Sequence, residues 1–439
     1  MNKPKISVIG LGFVGLSLAV TNAKKGFKTI GIDINELKIK NLQKGRPYFF
    51  EPNLEKLLSS AIKSKTINFT TDMNAILDSD ITFLTVGTPS KKSGKIDLSF
   101  IKNASKKIYQ VLKNKKTHHL LVVKSTLPPL TAKKIILPIF QNLINKGKID
   151  VVVNPEFLRE GFAIKDLLEP HLIVIGAYDK KSGDLLENYY KKFYKKIPEI
   201  IRTDLASAEL IKYANNAFLA TKISFINSIA NICQNIPGVD VNTIAHAIGK
   251  DSRIGPLFLN AGPGYGGSCL PKDLIGLIDY SKNQDGNSQL FEAVKKVNDL
   301  QPKKIIKLMK KMNVYFKGKT ISILGLAFKK DTNDIREAVS VKIVNSLLKS
   351  GMKIKVNDPM AMPNFKKMFK AKIFYTKSIT DCLTNSDCCI ILTEWDAYKK
   401  LNANIFKKYM KTAKVIDARR ILNQNKFLDI DFKAIGFGN

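Results

Sequence analysis

The chain of 439 residues predicts an α/β fold, with two Rossmann-like doubly wound domains at 1–200 and 301–439 joined by a central all-helical module at 201–300. Three observations predict it. Near the start, a short apolar strand runs into Gly10-Leu-Gly12-Phe13-Val14-Gly15 and then into a helical pattern. Far downstream, Ile321-Ser-Ile-Leu-Gly-Leu-Ala-Phe328 repeats Ile6-Ser-Val-Ile-Gly-Leu-Gly-Phe13 nearly residue for residue. Between them lies a stretch whose apolar residues recur every three or four positions with no strand signal.

Residues 5 to 9 alternate into the glycine turn, Leu16 to Lys25 reads as a helix, and Lys28-Thr-Ile-Gly-Ile32 ends at Asp33, which completes a βαβ unit. Gly10 permits the tight turn, Gly12 the close approach of a pyrophosphate, and Gly15 the packing of helix on strand; an acidic residue at the end of the second strand accepts the ribose hydroxyls. A bare G-x-G-x-x-G is a weak signal. The strand before it, the helix after it and Asp33 make it a dinucleotide site, and a carboxylate there favours NAD because it repels the 2′-phosphate of NADP.

The runs Ile81-Thr-Phe-Leu-Thr-Val86, Leu120-Leu-Val-Val123 and Asp150-Val-Val-Val153 have the character of buried parallel strands. They end at the turns Gly87-Thr88-Pro89, Lys124-Ser125-Thr126 and Asn154-Pro-Glu156-Phe157-Leu158-Arg159-Glu160-Gly161. In a parallel sheet the ligand crevice lies outside the carboxyl ends of the strands, so all three turns are expected to face cofactor and substrate. Taken singly, each also reads as an ordinary β-to-α loop.

From about Leu205 to Ile236 the pattern is helical, and Glu209, Lys212, Tyr213 and Asn216 share one face by their spacing. Lys212 and Asn216 thus project together, where an arbitrary helix would show a solvated polar face. Another helical stretch, about Leu274 to Val297, follows Gly264-Tyr265-Gly266-Gly-Ser-Cys269-Leu-Pro-Lys272-Asp273. An isolated cysteine is ordinarily a small buried thiol. Here the preceding glycines would let a substrate approach the backbone closely, and Lys272 stands where a cation can lower the thiol pKa. A glycine-framed thiol in a chain with a dinucleotide fingerprint suggests oxidation through a covalent intermediate, because carrying an aldehyde on to an acid requires a tetrahedral adduct that can lose a second hydride.

In the second copy of the motif a helix (Val339 to Lys349) and a strand (Lys353 to Asn357) ending at Asp358 follow, but Ala327 replaces Gly12 and Lys330 replaces Gly15. A second NAD is therefore not expected. Lys329 and Arg336 beside this turn suggest a different anionic ligand, part of the substrate.

Composition narrows the class. With 44% hydrophobic and 25% charged residues the chain is an ordinary soluble globular sequence, not a disordered one. Its five cysteines form no C-x-x-C pair and no even framework, so neither a metal site nor a disulfide scaffold is expected. That fits a reducing, cytoplasmic compartment, as does the lack of an export signal or of any apolar stretch near the ~18 residues of a membrane span. The formal charge of +35 invites a nucleic-acid reading, yet of 72 basic residues seven are arginine, and the lysines are spread over many helical segments rather than gathered in a stripe. No nucleic acid is expected as partner, and anionic small substrates explain the charge more simply. Four of the arginines, Arg159, Arg253, Arg336 and Arg419, lie in motifs where a planar bidentate donor has a use that lysine cannot match.

With these residues assembled, the chain from residue 5 to about 436 resembles the UDP-glucose/GDP-mannose dehydrogenase family. The resemblance is carried by Gly10 to Gly15, Glu51-Pro52, Gly87-Thr-Pro89, Ser125-Thr126, Asn154 to Gly161, Glu209 to Asn216, Gly264 to Asp273, Gly325 to Lys329, Asp334-Ile-Arg336, Asp358-Pro359, Thr393-Glu-Trp395 and Asp417-Ala-Arg419. It implies a twofold, NAD-dependent oxidation of a sugar C6 alcohol to a carboxylate. Cys269 would be the nucleophile that forms first a thiohemiacetal and then a thioester. Lys212 and Asn216 would stabilise negative charge on the substrate oxygen, and Asp273, with Glu156 and Thr126, would position or activate water.

The same resemblance assigns NAD to Gly10, Gly12, Phe13, Val14, Gly15, Asp33, Lys38, Thr88, Pro89, Thr126, Glu160 and Arg336. The nucleotide sugar falls to Glu156, Phe157, Leu158, Arg159, Glu160, Lys212, Asn216, Arg253, Asn260, Gly264, Tyr265, Gly266, Lys329 and Arg419. Arg253 is expected from a neighbouring subunit, because the family's dimers share a long central helix; a homodimer is implied. The chain departs from the family pattern at Leu130, where a glycine is frequent, at Asn260, where a lysine can contact the nucleotide, and at Lys38, where a cofactor arginine is expected. These departures bear on affinities rather than on the chemistry.

Within the family, the segment Gly266-Gly-Ser-Cys269 differs from the Gly-Gly-His-Cys pattern of enzymes acting on N-acetylated hexosamines, and Ser252-Arg-Ile-Gly255 resembles the UDP-glucose enzymes more than the GDP-mannose ones. UDP-glucose, oxidised to UDP-glucuronate, is the expected substrate, with GDP-mannose or a UDP-N-acetylhexosamine as alternatives. A single-oxidation β-hydroxyacid dehydrogenase also resembles the chain through its Rossmann unit and its Lys-x-x-x-Asn helix; Cys269 and the extra C-terminal domain count against it.

Overall fold

A computed structural model describes residues 3–91, 93–284 and 286–438. The chain falls into two compact units that divide between Asn215 and Asn216.

The first unit is built on eight strands: β1 (Ile6–Ile9), β2 (Thr29–Ile32), β3 (Ile67–Thr70), β4 (Ile81–Leu84), β5 (His119–Val123), β6 (Ile149–Val153), β7 (Leu172–Ala177) and β8 (Glu199–Thr203). They lie in the order β3-β2-β1-β4-β5-β6-β7-β8, parallel except where β6 meets β7. The chain runs outward from β1 and then returns to start again at β4, so the order reverses between these two strands, and their carboxyl ends are where sheets of this kind receive ligands. Both faces are covered. Val122 and Val152 pack into one apolar cluster, while their neighbours Leu121, Val123, Val151 and Val153 pack into another. Alternate residues of a strand point to opposite faces, which is why the continuous apolar runs read from the sequence become strands buried on both sides.

The second unit begins within the helix Leu205–Cys233 and continues through the helices Val241–Gly249, Leu270–Lys282 and Gln289–Lys311. Six parallel strands follow: β9 (Thr320–Leu324), β10 (Lys353–Asn357), β11 (Phe374–Tyr375), β12 (Cys388–Ile391), β13 (Lys414–Asp417) and β14 (Asp431–Ala434), in the order β11-β10-β9-β12-β13-β14. The echo in the sequence is therefore an echo in topology.

The two copies diverge just after their first strand. After β1 a helix begins at Phe13, whereas after β9 the chain forms no helix until Val339. Gly15 supplies the reason: a Cβ there would lie 2.1 Å from the carbonyl oxygen of Gly10, so a side chain forbids a helix that close to the turn. Lys330 stands at the corresponding place. Among the described residues no helix is long and apolar enough to cross a membrane, and no cluster of His, Cys, Asp and Glu could hold a metal ion.

Candidate active site

In the first unit the glycine turn has the geometry its sequence promises. Gly10 adopts φ +88°, and a Cβ on it would meet the backbone of Val86 at 2.9 Å. A Cβ on Gly12 would meet nothing within 4 Å, so its smallness keeps open a space outside the chain. The helix Phe13–Lys24 starts there with no side chain capping its first amides, the arrangement that receives phosphate oxygens. Phe13 and Val14 are half-buried, with the Phe13 ring 5.3 Å from that of Phe49. At the end of β2, Asp33 accepts the Leu11 amide (2.9 Å) and the Lys38 ammonium (2.6 Å) on one oxygen and the Asn35 amide (3.1 Å) on the other. Lys38 lies 4.9 Å from the Tyr48 ring centroid. The turns after β4 and β5 are tied together, since the Thr88 hydroxyl donates to the carbonyl of Thr126 (2.9 Å) and Ser125 to that of Val86 (2.7 Å), with Pro89 exposed beside them. The turn, the uncapped helix start and the carboxylate fit a dinucleotide.

Beneath the loop after β6 sits a buried row of charges. Lys212 faces Glu156 at 3.5 Å, both under 9% exposed, and its ammonium stands 5.4 Å from the Phe157 ring centroid. Removing either partner of such a pair costs roughly 3–5 kcal/mol, because the other charge is left uncompensated. Glu156 also accepts the Leu158 amide at 2.5 Å, which curls the loop over it. Lys124 donates to the side-chain oxygen of Asn154 (2.7 Å), which also receives the Tyr190 hydroxyl (2.5 Å), while the amide of Asn154 holds the Val174 carbonyl (2.7 Å). Burial pushes the Lys124 ammonium down to about 8, Glu156 opposes the shift and Lys212 adds to it. A cavity of about 140 Å³ lies here, lined by Lys124, Asn154, Glu156, Phe157 and Tyr190 among others. Arg159, expected on the nucleotide sugar, turns its guanidinium onto Asp166 (3.0 and 2.6 Å), while Glu160 is half-buried next to it.

In the second unit Cys269 stands immediately before the helix Leu270–Lys282 and is exposed, whereas Cys233, Cys382, Cys388 and Cys389 are buried. Burial pushes the Cys382 thiol up to about 11 and those of Cys388 and Cys389 higher still. Asp273, one turn into the helix and buried, accepts the amide of Asn216 (2.6 Å) and the ammonium of Lys272 (2.5 Å). The cation that the sequence sets near the thiol is thus engaged with Asp273.

The glycines before the cysteine lie close against other parts of the chain. A Cβ on Gly264 would meet Asn298 at 2.7 Å, one on Gly266 the carbonyl of Glu337 at 2.5 Å, and one on Gly267 the Phe328 ring at 2.9 Å. Asn298 also clasps Tyr265 by its amide (2.8 Å) and carbonyl (3.1 Å). Arg419, expected on the substrate, donates to the carbonyls of Phe328 (2.6 Å) and Leu392 (2.7 Å) and so pins the loop after β9 to the end of β12. Lys329 is half-buried with its ammonium 5.8 Å from the Phe328 ring. Arg336 is chelated by Asp334, and Arg253 by Asp251, both on the surface, and Asn260 is exposed.

Three residues of these networks, and Glu209, which accepts the Ala132 amide at 2.7 Å, received no individual role from the sequence. Lys124 breaks an apolar strand at its end, which is a signal of a buried charge. Glu209 shares the helical face of Lys212, also a signal. Asn298 and Asn154's partner Tyr190 carry none, because nothing local distinguishes them from other helix residues.

Three consecutive parts of the chain match models of the UDP-glucose/GDP-mannose dehydrogenase family: its NAD binding domain over residues 4–194, its central domain over 206–300 and its UDP binding domain over 322–424. The chain is 40% identical over 422 residues to the UDP-glucose 6-dehydrogenase TuaD of Bacillus subtilis strain 168, covering 95% of this chain and 90% of that one. It is 38% identical over 432 residues to the UDP-glucose 6-dehydrogenase AglM of Haloferax volcanii, covering 97% and 99%. A solved UDP-glucose dehydrogenase from the hyperthermophilic archaeon Pyrobaculum islandicum aligns with a TM-score of 0.92 at 33% identity, over 99% of this chain and 98% of that one.

Proposed function

Because the chain belongs to the UDP-glucose/GDP-mannose dehydrogenase family, we propose that it oxidises UDP-glucose twice at C6 to UDP-glucuronate, with Cys269 as covalent nucleophile. The observation that carries this reading is the state of the thiol: of five cysteines Cys269 alone is exposed, and it stands at the start of a helix, where the macrodipole favours a thiolate.

The Gly10–Gly15 turn and Asp33 would hold NAD, which would supply the hydride acceptor for each oxidation. In the first, the C6 hydroxyl loses its proton as the hydride leaves carbon, giving an aldehyde. The Cys269 thiolate then adds to that carbon, and the resulting thiohemiacetal loses the second hydride to become a thioester. Water attacks the thioester, the carbon–sulfur bond breaks, and carboxylate and thiol are released. Lys212 and Asn216 donate to the oxygen on which negative charge grows, a role suited to preorganised donors. Glu156, ion-paired to Lys212, and Asp273, bonded to Asn216, hold those two donors and provide the carboxylates that orient water and take protons, together with Thr126. The half-buried Lys329 supplies a cation to the diphosphate of the sugar nucleotide.

The test is stoichiometry. With UDP-glucose as limiting substrate the wild type should form two NADH per sugar, and Cys269→Ser should bind UDP-glucose nearly as well yet fall below about a tenth of the wild-type steady turnover. One NADH per sugar, or a serine variant that turns over freely, refutes the covalent mechanism.

The working assembly is a homodimer. On the helix Leu205–Cys233, Phe218, Phe225 and Ile232 are 65%, 51% and 57% exposed and recur every seven residues, an apolar seam of the kind a second helix covers. Sedimentation velocity should show a dimer that Phe218→Asp with Phe225→Asp dissociates; a wild-type monomer at micromolar concentration rules it out.

A further inference from the structure

We propose that Glu209 is a positioning residue for the oxidation described above, its carboxyl clamping the loop that carries Thr126 onto the helical turn that precedes Lys212. The proposal rests on that functional reading for its kinetic consequence, but the clamp itself stands on geometry.

Glu209 is 2% exposed on the helix Leu205–Cys233, three residues before Lys212 and on the same face. One carboxyl oxygen accepts the amide of Ala132 at 2.7 Å, and the amides of Leu130 and Thr131 also face the group. The other oxygen is buried with no hydrogen-bond partner. These three amides open the helical run that starts with a π-turn at Ala132–Ile136 and continues as Leu137–Asn145, so none has a partner within it, and Thr131 alone has one in the turn before, the Pro128 carbonyl at 3.2 Å. Two prolines, Pro128 and Pro129, stand just before and have no amide to offer. Leu130 is held at φ +68°, a left-handed conformation that a side-chain-bearing residue keeps only when its surroundings enforce it. Two contacts hold the loop there: Thr131 bonds back to the Pro128 carbonyl by its amide (3.2 Å) and hydroxyl (2.6 Å), and Glu209 takes the Ala132 amide from across the unit.

The group is not needed as a charge. Burial pushes its carboxyl up to about 8, so at neutral pH it is mostly the neutral acid, and an amide of the same shape offers the amides the same oxygen. Position, not ionisation, is the property at work.

The experiment compares Glu209→Gln, Glu209→Asp and Glu209→Leu by NADH formation from UDP-glucose and by hydrogen–deuterium exchange at residues 130–132. Glu209→Gln should keep kcat within about threefold of wild type, and Glu209→Leu should lower it by about tenfold or more while the KM for NAD moves less than about threefold. The amides of Leu130, Thr131 and Ala132 should exchange about tenfold faster in Glu209→Leu, with Glu209→Asp, one methylene short, in between. Wild-type kcat and exchange in Glu209→Leu or Glu209→Asp overturns the proposal, as does a Glu209→Gln variant as impaired as Glu209→Leu. If the wild type does not oxidise UDP-glucose, the functional reading fails while the exchange comparison still decides the clamp.

Discussion

Asp358 is the counterpart of Asp33 in the second copy of the fold, and replacing it by asparagine should cost the second unit much of its stability. The carboxylate is 4% exposed and accepts five hydrogen bonds. One oxygen takes the amides of Leu326 (2.7 Å) and Ala327 (3.1 Å) and the indole N–H of Trp395 (3.0 Å), and the other takes those of Met360 (2.8 Å) and Ala361 (2.7 Å). Asparagine offers one oxygen. Whichever way it turns, its NH₂ group opposes at least two N–H donors, each of which is buried without a partner at a cost of about 1–3 kcal/mol. The bonds that survive also lose the assistance of a full charge. Together these give a loss of about 4 kcal/mol, a large share of the stability of a domain. The assay is built into the chain: its single tryptophan is Trp395, so urea unfolding followed by tryptophan fluorescence reports on this unit. Asp33→Asn serves as the control, and should leave the Trp395 transition in place. A loss below about 1 kcal/mol in Asp358→Asn would show that the five bonds are not what holds the loop after β9, and the reasoning would fail.

Asp33 should set the cofactor, so steady-state kinetics are expected to favour NAD strongly over NADP, and equal kcat/KM values would mean that its carboxylate does not meet the ribose. Lys329→Ala should raise the KM for UDP-glucose by the equivalent of about 1.5–3 kcal/mol and leave that for NAD in place, and calorimetric titration should find one NAD per chain; two would assign the second Rossmann unit a different task. Glu209 adds a pH signature. Its carboxyl lies at about 8 in the folded chain against an ordinary 4.5, so between these values the native state holds a proton that the unfolded chain has released. Its contribution to stability therefore falls as pH rises through that window, and the Tm of Glu209→Gln relative to wild type should climb between about pH 5 and pH 8. A flat difference would mean that the group ionises at its ordinary pH.

What could be read from the sequence was whatever is decided locally. The strand, glycine turn, helix and Asp33 follow from periodicity over a few residues and from the sterics of a missing Cβ, and the echo at Ile321 follows from simple repetition. The substitutions of Gly12 by Ala327 and of Gly15 by Lys330 are equally local, and they already separate the two copies. Cys269 stands out because its neighbours in sequence are its neighbours in space at the head of a helix. Tertiary structure decided whatever depends on residues far apart in the chain. It set Glu209 against Ala132, Lys124 against Asn154, Gly264 against Asn298, and Asp358 against Trp395. It also set residues already picked out, the glycines of the cysteine loop and Arg419, in contacts within the chain that no local pattern specifies. The physical reason is desolvation. A carboxyl or ammonium has the same intrinsic chemistry wherever it falls in a sequence, and only the packing of distant segments around it decides whether it is buried, which donors it meets, and therefore whether it is neutral, charged or free to act on a ligand.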